Sequence, residues 1–68
     1  MINLKHERLA KGMSQRDLSY LAKVAQSYVS LAESRNCELS EKTLCKLAKV
    51  LEWNKDPHEL LNEFKKEG

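Results

Sequence analysis

Apolar residues recur at helical spacing along almost the whole chain, and no stretch alternates in the manner of a strand. The pattern predicts five helices. The first spans about residues 2–11, with Ile2, Leu4, Leu9 and Ala10 as its apolar positions and Gly12 as its stop. Ser14 opens the second as N-cap, and Asp17, three positions on, makes a shortened capping box; Leu18, Leu21 and Ala22 form the inward face. The third runs from residue 25 or 26 to 34. Val29, Ala32 and the aliphatic part of Tyr28 face inward, and Gln26, Ser27, Ser30 and Leu31 face out. Ser40 caps a fourth helix of about 41–52, with Leu44, Leu47, Ala48 and Leu51 as its stripe and Trp53 at the core edge. Asp56-Pro57-His58-Glu59 starts a last helix of about 57–66, carrying Leu60, Leu61 and Phe64. Short connections fold these into one compact all-α domain over residues 1–68.

Two short amphipathic helices thus lie within residues 12–33, joined by too few residues to do more than turn. With basic residues on each side, at Lys5, Arg8 and Lys11 and at Arg35, the pair is expected to place one exposed helix in a groove of duplex DNA. The charge distribution agrees: residues 1–35 hold six bases and three acids, a balance of +3, against −1 in residues 36–68. The total of +2 is by itself too small to show a polyanionic partner, and such charges also serve as solvated faces.

Composition excludes several classes. A chain of 68 residues, 41% hydrophobic and 32% charged, makes one soluble domain. It buries only roughly 60% of its unfolded surface, so association with a second copy would help its stability. No apolar run approaches the ~18 residues of a membrane span. Asn3, Lys5, His6, Glu7 and Arg8 interrupt any secretory leader, so a cytoplasmic location without membrane contact is expected. Cys37 and Cys45 lack zinc spacing and read as two free thiols, so no metal and no cofactor are expected. No nucleophile has an evident His and acid beside it and no glycine-rich phosphate loop exists, so an enzyme is not expected.

The chemistry of the third helix suits base edges. Gln26 has the acceptor and donor that adenine N6 and N7 require, Ser27 bonds either way, and Leu31 matches a thymine methyl. Their alternatives are a second N-cap or solvated residue for Gln26, and core packing or a dimer contact for Leu31. Tyr28 either donates to a phosphate or packs over the turn. Arg35, Lys5, Lys11, Arg16 and Lys23 would add sequence-independent attraction, although solubility alone explains Lys5.

Gly12-Met13-Ser14-Gln15, Leu18, Val24, Val29-Ser30, Glu33, Leu44, Leu47-Ala48 and Leu51 resemble the helix-turn-helix domain of lambda-type repressors, Cro proteins and Xre-like regulators, over about residues 4–53. The resemblance implies a five-helix lambda-repressor-like fold with the helix-turn-helix at about 14–34. It implies base contacts by Gln26, Ser27, Tyr28 and Leu31. It implies backbone contacts by Ser14, Gln15, Arg35 and Asn36, with Gln15 also bracing the recognition helix; Arg16, Lys23 and Ser30 are further candidate backbone contacts. It further implies a structural ion pair between Arg8 and Glu33. Lys23 stands where the family usually has glycine, a left-handed position that costs about 1 kcal/mol. Ser19 replaces the usual alanine, Arg35 a common glycine and Leu39 a common proline.

One helix with two or three base contacts reads weakly, so a homodimer on half-sites ~34 Å apart is expected. Trp53, Leu60, Leu61 and Phe64, with the 36–39 loop, are the candidate two-fold interface; the alternative is that the last three only close the monomer core. The expected function is a sequence-specific transcription regulator, a repressor or controller protein on a near-palindromic operator. Such a chain would be governed by concentration, dimerisation or a partner, since no length remains for a sensing domain. The second reading is an antitoxin or adaptor whose helical face binds a protein partner and whose DNA binding is secondary.

Overall fold

The structure, a computed structural model, describes residues 1–35 and 39–65, with Arg35 described by its backbone only. Four α-helices lie among the described residues: α1 (Asn3–Ala10), α2 (Gln15–Ala22), α3 (Gln26–Arg35) and α4 (Glu41–Val50). A short 3₁₀ helix, Pro57–Leu61, follows. No helix is long and apolar enough to cross a membrane among the described residues.

Local chemistry sets the helix ends. Gly12 leaves α1 at φ +69°, a left-handed turn that a side chain would strain. At the start of α2, the Asp17 amide donates to Ser14 Oγ at 3.0 Å, and the Ser14 amide donates to Asp17 Oδ2 at 3.1 Å. This closes a full capping box and satisfies two of the orphan donors at the helix start. Lys23 makes the α2–α3 turn at φ 57°, ψ 45°, so the position is left-handed without glycine. Ser40 caps α4 by accepting from the Thr43 amide at 3.3 Å.

Leu4, Leu18, Val29, Ala32, Leu47 and Leu51 meet in one core, with α2 packed against both α3 and α4. Trp53 lies half-buried at the edge of that core, its ring N–H donating to the Asp56 carbonyl at 2.9 Å.

Several sequence expectations are corrected. The fifth helix of about 57–66 is a five-residue 3₁₀ helix instead. Its start forms as expected, with Pro57 in the first turn and Asp56 Oδ1 accepting from the His58 amide. It then stops because Asn62 turns extended and the chain pairs with the N-terminal segment. The Asn3 amide donates to the Asn62 carbonyl and the Phe64 amide to the Met1 carbonyl, both at 2.8 Å, around an antiparallel bridge between Ile2 and Glu63. In α1, Leu9 and Ala10 are exposed; the inward positions are Leu4 and Arg8, one turn apart. In α2, Leu21 is exposed, and Ser19 takes its inward place beside Leu18 and Ala22. Leu60 is wholly enclosed by the chain's own core, so it has no surface to give a two-fold partner.

Candidate nucleic-acid interface

The candidate site is built on α3. Its inward face is Val29 and Ala32, both fully buried. Gln26, Ser27, Tyr28 and Leu31 are all exposed, and Ser30 is half-buried. Tyr28 is 49% exposed, so about half of it is covered and half is open to solvent.

What holds α3 is a polar node beneath it. Arg8 Nε donates to Glu33 Oε2 at 2.8 Å and Arg8 Nη2 to Glu33 Oε1 at 2.9 Å, a two-pronged pair with side chains only 7% and 3% exposed. Arg8 Nη1 donates to the Met13 carbonyl at 2.7 Å, and Gln15 Nε2 donates to Glu33 Oε1 at 3.1 Å. Glu33 thus receives Arg8 from α1 and Gln15 from α2, and Arg8 also pins the α1–α2 turn. Charge-assisted bonds in a two-pronged array fix orientation as well as separation, so α3 is set against its supports by direction. Burial without pairing would be costly; here every buried side-chain polar atom among the described residues has a partner.

The N-terminus of α2 lies at the same node. Gln15 and Arg16 occupy the first two helical positions, where backbone N–H groups have no carbonyl inside the helix to bond. Those donors and the positive end of the helix suit a phosphate. Asp17 is exposed, and its hydrogen bonds from the Ser14 amide and then the Ser14 hydroxyl hold its carboxyl below the usual aspartate range. The side chains of Arg16 and Lys23 are exposed on either end of α2. Ser19 is buried, its hydroxyl donating to the Arg16 carbonyl at 2.9 Å, which accommodates a hydroxyl in place of a methyl. Lys11 is exposed at the end of α1, and Lys5 is half-buried.

The Arg35 side chain, Asn36 and Cys37 lie outside the described residues, and with them most of the 36–39 loop. Leu39 packs half-buried against the core, and Cys45 is an exposed thiol on α4. Of the remaining interface candidates, Trp53, Leu61 and Phe64 are half-buried, and the Phe64 ring stacks on His6 at 3.6 Å. Sequence reasoning missed the Met13 carbonyl as a partner of Arg8. Residue type gives no signal for a backbone acceptor.

The helix-turn-helix family pattern matches residues 4–53, most of the chain. No curated protein and no solved structure is a significant match. The chain belongs to the lambda-repressor/Xre-like helix-turn-helix family of DNA-binding regulators.

Proposed function

We propose that this helix-turn-helix protein is a sequence-specific transcription regulator of the repressor or controller kind, reading a near-palindromic operator as a homodimer. The observation that supports it best is the exposed set Gln26, Ser27, Tyr28 and Leu31 on a helix fastened from behind by Arg8, Glu33 and Gln15. A B-DNA major groove, ~12 Å wide, admits one such helix. In it Gln26 pairs with adenine N6 and N7, Ser27 takes a neighbouring edge, and Leu31 covers a thymine methyl. Tyr28 reaches a base edge or the nearest phosphate.

Backbone contacts set the register without reading sequence. Ser14 and Gln15 place the α2 N-terminus on a phosphate, and Arg16, Lys23 and Ser30, with Arg35 and Asn36, hold the flanking ones. Gln15 serves twice in this scheme, since the amide that braces Glu33 keeps a second N–H for the phosphate. Occupying a promoter in this way blocks it. Trp53, Leu61 and Phe64 are the surface assigned to the two-fold contact.

Selecting bound sites from a random duplex pool tests the reading. Two half-sites related by a dyad, with centres ~34 Å apart, are expected. Bound duplexes sharing no sequence would overturn it, and a sedimenting monomer at tens of micromolar would remove the dimer. An antitoxin- or adaptor-type role with secondary DNA binding is the second reading, favoured by the exposure of Tyr20 and Leu21. Salt-dependent retardation of random duplex supports the first reading, and none at low salt supports the second.

A further inference from the structure

The outward face of α2 carries two large, largely apolar side chains, Tyr20 and Leu21, beside the charged Arg16 and Asp17. Tyr20 is 81% exposed and Leu21 53%. Leu21 lines two hollows. One, of about 370 Å³, is lined by Met13, Arg16, Asp17, Tyr20 and Leu21. The other, of about 440 Å³, is lined by Leu21, Ala22, Lys23, Lys46, Lys49 and Val50, where α2 meets the C-terminal half of α4. No residue of α3 lines either hollow.

We propose that this face is a docking surface for an acidic amphipathic helix of another protein. The floor of each hollow is apolar, and the rim holds Arg16, Lys23, Lys46 and Lys49 against the single acid Asp17. Asp17 already spends an oxygen on the Ser14 amide. The occupant that fits has two large apolar side chains on one face, roughly two turns (~10 Å) apart, to straddle Leu21. Asp and Glu flank them to meet the four cations.

Charge and shape select among occupants. A second copy placed across a two-fold axis would set lysines against lysines. A DNA strand would meet the cations, Arg16 and Lys23 among them, but its phosphates would leave the apolar surface of Tyr20 and Leu21 uncovered. An acidic helix satisfies the apolar floor and the basic rim together. The hollows share no residue with the base-reading face of α3, but they share Arg16 and Lys23 with the proposed phosphate contacts, so an occupant here would compete with DNA for those two cations.

The test selects peptides from a random displayed library against the full chain, then maps a selected peptide by amide shifts in the labelled protein. Enriched sequences should be net acidic with two large apolar residues at helical spacing, and the shifts should centre on Met13, Tyr20, Leu21, Lys46, Lys49 and Val50. Leu21→Ser should cost at least ~10-fold in peptide affinity, as about 1.4 kcal/mol corresponds to, while leaving the circular dichroism, melting and DNA binding unchanged. Tyr20→Ser gives a second, independent arm. The Lys46→Glu/Lys49→Glu variant should turn the preference toward basic peptides. No enrichment, no acidic bias, or retained affinity in both serine variants would overturn the proposal. Shifts confined to Gln26–Leu31 would do the same, since they would report a polyanion on the DNA-reading face. Peptide-free shifts at the hollows that grow with protein concentration would assign the surface to a second copy instead.

Discussion

Arg8 grips both carboxylate oxygens of Glu33, a residue 25 positions away, at 2.8 and 2.9 Å in a nearly water-free setting. The pair joins α1 to α3, and through Gln15 and the Met13 carbonyl it fixes α2 and the turn before it. Among the described residues, it ties the candidate DNA-reading helix to the rest of the fold by direction as well as by packing.

Removing one partner strands the other. Arg8→Ala should lower stability by about 3–5 kcal/mol, the size expected for an unpaired buried charge. That is a large share of the roughly 3–10 kcal/mol available to a domain of this length. Arg8→Lys should recover only part, because an ammonium cannot reproduce the two-pronged geometry. The double variant Arg8→Met/Glu33→Leu should be more stable than Arg8→Ala, since no charge is then left unpaired. Urea titrations of the four proteins measure this, and an unchanged midpoint for Arg8→Ala would refute it.

Lys23 separates stability from binding. Its φ of 57° strains a side chain, so Lys23→Gly should gain roughly 0.5–1 kcal/mol after the greater freedom of glycine in the unfolded chain is discounted. The same change removes a cation from the proposed phosphate contacts. Thermal melting should rise while DNA affinity falls, and the salt dependence of binding should become shallower by about one counterion. A lower melting temperature would contradict the strain argument.

Asp17 gives the capping box a pH signature. Its folded pKa lies below that of the unfolded chain, near 3.9, because the Ser14 amide and hydroxyl bond the ionised form. The stabilisation is therefore complete above that unfolded value and disappears as pH falls through the lowered folded one. Asp17→Ala should melt below the parent protein at pH 7, and the gap should close under strongly acidic conditions. A gap independent of pH would exclude this origin.

Leu60 belongs to the core, not to a partner. Leu60→Ala should cost about 2–5 kcal/mol by leaving a cavity, with no change in the mass measured by sedimentation under folding conditions. Loss of an oligomer with unaltered melting would reverse that assignment.

The order of helices and their caps were legible because their causes are local. Ser14 and Asp17 are three residues apart, and Ser40 caps its own helix, so residue type and spacing sufficed. Arg8 was harder. Of the apolar positions at the start of the chain Ile2 and Leu4 are buried while Leu9 and Ala10 are not, and the buried Arg8 depends on Glu33 on another helix; family resemblance alone pointed to the pair. Leu21 follows Leu18 by three positions and reads as inward, yet it is 53% exposed. The last helix failed for a related reason. Asp56 and Pro57 signal its start, but backbone pairing of Asn62 and Phe64 with the first residues stops it, and no local pattern encodes that contact.

The central claim is that the outer face of α3 reads bases, and the most direct test is the affinity of Gln26→Ala for the selected site and for each single-base-pair variant of it. The account predicts a loss of about 1–3 kcal/mol on the selected site and a flattened response at one base pair in each half-site, with discrimination elsewhere retained. An equal loss across all duplexes, or an undisturbed preference at every position, would contradict it.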